Sequence, residues 1–176
     1  MARIKYLQLQ DATGDAKELL SSLTQKSNKL STFAQALAHR PALLKTLGSL
    51  GQAVGGDSTI PKRLKELVTL KVSQLNGCRY CVAAHTGIAR KLGVSDQELN
   101  ALSNYQKSHA FSEKEKVALE YAEAVTKQVG NFSDQLFGRV KQHFDDGEIV
   151  ELTGLIAYFN FMNRLLDALQ VDIDFQ

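Results

Sequence analysis

The stretch PKRLKELVTLKVSQLNGCRYCVAAHTGIARKL, residues 61–92, decides how the rest of the chain is read. Leu64, Leu67, Val68, Val72 and Leu75 recur at three- and four-residue intervals, the stripe of an amphipathic helix rather than the alternation of a strand. Ser58 or Thr59 can cap this helix, which is expected to start near Pro61. Asn76-Gly77 is a turn signal, and a second helix is expected from about Cys78 to Lys91, closed by Leu92-Gly93. Lys62, Arg63 and Lys65 read as a solvated helix face.

The same pattern extends in both directions. Upstream, Ala16, Leu19, Leu20 and Leu23 mark a helix over 14–27, and Ser31 can cap a short one running to Ala38. His39-Arg40-Pro41 breaks it, with Pro41 placed as the first residue of a helix carrying Leu43, Leu44, Leu47, Leu50 and Val54. That helix stops in Gly55-Gly56-Asp57-Ser58. Downstream, Ser95 with Glu98 and Ser112 with Glu115 form capping boxes, in which serine and glutamate satisfy each other's free backbone N–H groups. Val117, Tyr121, Ala124 and Val125 follow the second box, with Gly130 as a stop. Ser133 caps a helix carrying Leu136, Phe137, Val140 and Phe144. Asp145-Asp146-Gly147 reads as a turn before a last helix over 148–169. No run reads as a strand and only two prolines interrupt the chain, so the expected fold class is all-α. A faint echo between residues 66–70 and 151–155, with Asn76 answering Asn160, allows two related helical halves.

At 176 residues the chain has the size of one domain, expected over 1–176 with its core motif region at 61–92. A hydrophobic fraction of 44% with 23% charged residues excludes a disordered chain. The formal charge of +2, without a basic run, gives no footprint for nucleic acid. The most apolar stretch, 152–161, is too short to span a bilayer and is interrupted by Thr153, Gly154 and Asn160. No secretory leader is visible, so the expected location is cytoplasmic. Two cysteines exclude a disulfide scaffold; in a reducing compartment a close pair reads as redox-active or metal-binding.

On a helix, Cys78, Cys81 and His85 are i, i+3 and i+7 and share one face. Two thiols so spaced can close a disulfide near a helix start, and an imidazole one turn away can take a thiol proton. Glu66, on the preceding helix among Leu64, Leu67, Val68 and Leu70, could be partly buried and so suited to accept and return protons. Two plainer readings compete: buried, inert cysteines, or a zinc site of Cys78, Cys81, His85 and Glu66. His39, His109 and His143 match no motif, and the aromatic cluster over 158–161 reads as core or subunit interface.

The pattern Glu66-x11-Cys78-x2-Cys81-x3-His85 resembles the active-site signature of the AhpD-like alkylhydroperoxidases, in the carboxymuconolactone decarboxylase superfamily. Ser73, the Asn76-Gly77-Cys78-x-Tyr80-Cys81 run and Ala84-His85 fit it too. The opening Met1-Ala2-Arg3-Ile4 and the late run 152–160 resemble its peroxidase-related branch. The resemblance implies an all-helical homo-oligomer, trimeric or hexameric, that uses no cofactor or metal. It implies that Cys81 is oxidised by a hydroperoxide, that Cys78 resolves the sulfenic acid to a disulfide, and that Glu66 and His85 relay protons. A reducing dithiol or redox protein would be the partner. Lactone decarboxylases of the superfamily lack the cysteine pair. Where the best-known branch can carry a histidine before the second cysteine, this chain has Tyr80, a poor base at neutral pH. Helix-terminus physics favours Cys78 as the low-pKa thiol, whereas the neighbouring His85 favours Cys81 as the attacking one. The alternatives are a redox-responsive binding or assembly protein, or a thiol-disulfide oxidoreductase that leaves peroxides alone.

Overall fold

The computed structural model describes residues 2–27, 29–128 and 132–175. Among them lie nine α-helices, one 3-10 segment and no strand, which is the all-α class expected. In chain order the helices are α1 (Gly14–Ser27), α2 (Thr32–Leu37), α3 (Pro41–Gly55), α4 (Lys62–Leu75), α5 (Arg79–Lys91) and α6 (Asp96–Ala101), followed by the 3-10 segment Leu102–Lys107. Then come α7 (Glu113–Lys127), α8 (Asp134–His143) and α9 (Asp146–Leu169). None is long and apolar enough, among the described residues, to cross a membrane.

Most helix starts fall where the local chemistry puts them. Ser31, Ser95, Ser112 and Ser133 each accept a hydrogen bond from the backbone two or three residues into their helices, and the boxes of Ser95 and Ser112 are both complete. Two starts differ from expectation. α4 has Pro61 at its N-cap and no side-chain cap; Ser58 instead accepts from the Ile60 N–H at 3.1 Å and shapes the turn before it. Asp145 caps α9 in a third box with Glu148, so Asp146 and Gly147 belong to that helix's first turn rather than to a loop. The expected stop at Gly130 lies outside the described residues.

α4 is the hub, packed on α5, α7 and α9 at once. Leu64, Val68 and Val72 join the larger buried cluster, while Leu67 and Leu70 join a smaller one with Ala89, Leu102, Tyr105, Phe111 and Leu119. Enclosed on three sides, the helix is exposed only near its ends, at Lys62 and Gln74. Lys65, Thr69, Lys71 and Ser73 are therefore buried as well, and Leu75 is the stripe residue left only partly covered. This corrects the solvated reading for Lys65 and, in part, for Arg63, while Lys62 is solvated as expected, its side chain 49% exposed beside Asp57. Lys65 is 2% exposed and gives its ammonium to Glu151 and to the Gly56 carbonyl. Arg63 bridges Glu98 at 2.5 Å and Glu115 at 3.2 Å. Lys71 pairs with Glu123 at 3.4 Å over the Tyr105 ring. Buried charges persist only when paired and hydrogen-bonded in this way.

Candidate active site

The site is built where α4 hands over to α5. Asn76 ends α4, and Gly77 follows with φ +69°, the left-handed conformation that glycine adopts without strain. The Gly77 N–H then bonds the Gln74 carbonyl at 3.2 Å and the Cys78 N–H bonds the Ser73 carbonyl at 3.0 Å, a Schellman closure. The chain reverses there, and Cys78 becomes the N-cap of α5, its Sγ accepting the Cys81 N–H at 3.4 Å.

One turn on, Cys81 Sγ lies 2.7 Å from Cys78 Sγ, and the two thiols share a hydrogen bond. Both cysteines are free and buried. That bond is the largest influence on both groups. It lowers Cys78 to about 7, with further help from the Cys81 N–H and the Asn163 amide and against the cost of burial and the charge of Asp167. It pushes Cys81 far up, burial and the neighbouring Cys78 charge acting in the same direction. The reduced pair thus holds its proton on Cys81 and its charge on Cys78, at the positive end of α5.

On the next turn of α5, His85 Nδ1 lies 2.7 Å from Glu66 Oε2. With the carboxylate as acceptor, Nδ1 carries the hydrogen and Nε2 keeps its lone pair, the tautomer a base requires. The His85 ring also stands edge-on to Phe159, with centroids 4.8 Å apart. A cavity of about 340 Å³ brings Glu66, Cys81 and His85 onto one wall, opposite Tyr158, Phe159 and Met162. Cys78 is not on that wall; it lines a neighbouring cavity of about 290 Å³. A larger cavity, about 620 Å³, lies between the 3-10 segment, α7 and α8, but it holds no thiol. Its charges are already matched, Arg139 with Glu120 and both Lys71 and Lys127 with Glu123.

Of the four residues singled out in the sequence, Glu66, Cys81 and His85 line one cavity, and Cys78 touches Cys81 from the neighbouring one. They meet as two pairs, thiol with thiol and carboxylate with imidazole. Among the described residues no three histidine, cysteine or acidic side chains converge as a metal would require. His39 instead meets the Lys5 carbonyl, and His109 and His143 line neither cavity. Tyr80 packs edge-on to Phe175, and burial raises its phenol to about 12, so it stays protonated and is no substitute base. Of the aromatic cluster, Tyr158 and Phe159 line the cavity while Phe161 points to solvent, 46% exposed.

Sequence reasoning missed Asn163. It is 1% exposed, donates Nδ2–H to Ser73 Oγ at 3.2 Å, and accepts from Asn76 Nδ2 at 3.0 Å through Oδ1. Held by these two bonds, its amide favours the charged form of both thiols. The available signal was a single polar residue in the buried stripe Leu152, Leu155, Ile156, Phe159, Met162 and Leu166 of α9.

Residues 41–124 match the carboxymuconolactone decarboxylase family. The uncharacterized protein YdfG of Bacillus subtilis (strain 168) is 37% identical over 112 residues, which is 61% of this chain and 74% of that protein. The chain belongs to the carboxymuconolactone decarboxylase family, as an AhpD-like member. The alkylhydroperoxidase AhpD core of an uncharacterized peroxidase-related protein from Ralstonia eutropha JMP134 has the same fold. Its TM-score is 0.86 at 22% identity over 98% of this chain and 92% of that one. The debrominase Bmp8 is also similar, with a TM-score of 0.81 at 23% identity over 98% of this chain and 92% of its own. At such identities the two structures share the fold with this chain, not a substrate.

Proposed function

We propose that this protein is a thiol-dependent hydroperoxide reductase. One observation carries the reading: the Cys81 thiol shares a cavity wall with the Glu66–His85 pair, and a second thiol stands 2.7 Å behind it. His85 Nε2, oriented by Glu66, takes the Cys81 proton directly or through a water. The Cys81 thiolate attacks the hydroperoxide; an S–O bond forms, the O–O bond breaks, and the alcohol leaves with the proton returned by His85. Cys78, a thiolate near neutral pH, then attacks the sulfenic sulfur: the S–S bond forms, the S–O bond breaks, and the departing hydroxide takes a proton from solvent to leave as water. A dithiol takes the disulfide's place and resets both thiols. The sum is hydroperoxide plus dithiol to alcohol, water and a new disulfide. On the same reading the chain works in the cytoplasm as a homo-oligomer, with a dithiol or redox protein as partner and no cofactor.

Purified protein given cumene hydroperoxide and dithiothreitol should consume peroxide over many turnovers, and Cys81→Ser should abolish this. In Cys78→Ser, dimedone should trap a sulfenic acid on Cys81; trapping on Cys78 in Cys81→Ser alone would reverse the two roles. One stoichiometric oxidation without turnover would favour a redox-responsive binding or assembly protein. Reduction of insulin without peroxide consumption would favour thiol-disulfide exchange. Lactone decarboxylation that survives loss of both cysteines would favour the decarboxylase branch. Faster turnover of a bromopyrrole than of peroxide would favour reductive debromination.

A further inference from the structure

Cys81 and Cys78 open on different cavities. The first cavity is lined by Cys81 and by Phe33, Leu155, Tyr158, Phe159 and Met162, an apolar and aromatic wall. The second is lined by Cys78 with Arg79, Asp167, Gln170 and Asp172, a polar and charged wall. Tyr80 and Leu166 lie on both and form the partition between them. The second cavity is a built feature. Gln170 ends α9 in the left-handed conformation, φ 50°, and the Val171 N–H closes back on the Leu166 carbonyl at 3.1 Å. This turns the tail toward the start of α5. The tail is then pinned: the Tyr6 hydroxyl donates to Asp172 Oδ2 at 2.9 Å, and the Thr32 hydroxyl donates to the Asp172 carbonyl at 2.6 Å.

We infer that the reducing dithiol binds in the polar cavity at Cys78, on the far side of the redox pair from the hydroperoxide cavity at Cys81. The inference rests on the Cys78–Cys81 pair being the redox centre proposed above. A thiolate attacks a disulfide sulfur from the side opposite the leaving sulfur. From this cavity it therefore forms its S–S bond with Cys78. The Cys78–Cys81 bond breaks, and its electron pair goes to Cys81, which takes a proton back through His85. The second thiol of the dithiol then attacks its own sulfur in the mixed disulfide. That closes a cyclic disulfide and expels Cys78 as a thiolate. The dithiol loses two electrons and the protein disulfide gains two. Cys78 suits the last step, because its surroundings hold the thiol at about 7 and so make it a good leaving group. A cavity of about 290 Å³ accommodates a small dithiol.

The test separates the two half-reactions. Diamide joins the pair without peroxide; dithiothreitol then reduces it, and cumene hydroperoxide oxidises fully reduced protein in a second experiment. Ile173 lines the second cavity and is 41% exposed, so Ile173→Trp narrows its mouth. Gly55 lines the first cavity with open space where a Cβ would stand, so Gly55→Phe narrows that one. Ile173→Trp should lower the ratio of reduction rate to oxidation rate by about tenfold, and Gly55→Phe should raise it. Arg79→Trp, on the other rim of the second cavity, should repeat the Ile173→Trp result without touching the tail. Shifts in the same direction for the two cavities, or an unchanged ratio in both Ile173→Trp and Arg79→Trp, overturn the inference. Should peroxide fail to oxidise the protein, the proposed function falls, and the reduction rates of the diamide-treated variants still judge where the dithiol binds. Failure of diamide to join the pair overturns both.

Discussion

Cys78 ionises first because three neighbours favour its charged form, namely the Cys81 thiol, the Cys81 N–H and the Asn163 amide. Alkylation of reduced protein by iodoacetamide should therefore map to Cys78, and its rate should rise with pH through a midpoint near 7. Mass spectrometry should find Cys81 unlabelled over the same range. The sign for stability follows. A lowered folded-state pKa contributes stability above the ordinary thiol value and loses it as pH falls through about 7. The opposite shift of Cys81 works against this, so reactivity rather than melting temperature is the readout. Asn163→Ala should move the alkylation midpoint upward, toward the ordinary thiol value. His85→Gln should slow Cys81 oxidation by roughly 10²–10⁴, the usual contribution of a positioned base, with the helical circular dichroism retained. Cys81 and His85 were legible because their spacing along one helix places them on one face; Cys78, expected on that face too, is instead the extended N-cap of α5 and lines the neighbouring cavity. Asn163 was not, because its position beside the thiols depends on how α9 crosses α4 and α5.

The helix ends show the same division at the scale of elements. Ser112→Ala should cost about 1 kcal/mol in urea unfolding, since it removes a complete capping box from α7. Ser58→Ala should cost less, because its hydroxyl caps only a turn. Capping boxes were readable since both partners lie three residues apart. Lys65 was misread because a three- and four-residue pattern cannot tell a helix covered on one side from one covered on three. Lys65→Ala should cost about 3–5 kcal/mol by leaving the Glu151 carboxylate without its buried partner. Lys65→Met with Glu151→Leu should recover most of that loss in the same measurement, since two apolar side chains can take the place of a buried ion pair.

For the whole molecule, α3 and α9 pack together and both carry exposed apolar side chains. Leu43 and Leu50 on α3, and Val150 and Phe161 on α9, are all exposed, Val150 by 72%. Such side chains are ordinary one at a time but also form the surfaces through which copies of a chain associate. Sedimentation velocity at micromolar concentration should find a trimer or hexamer, and Phe161→Glu should shift it toward smaller species; a monomer throughout would remove the oligomer from the proposed function. By itself the sequence determined the helices, most of their caps and the face shared by Cys81 and His85. Those features rest on hydrogen bonds and side-chain contacts between residues only a few positions apart. Only the tertiary structure decided that α4 is enclosed along most of its length, that Glu66 meets His85 at 2.7 Å, that Asn163 influences the thiols, and that the two sulfurs open on separate cavities. These depend on how α4, α5 and α9 cross, and the crossing is set by the summed packing of many side chains rather than by any spacing along the chain.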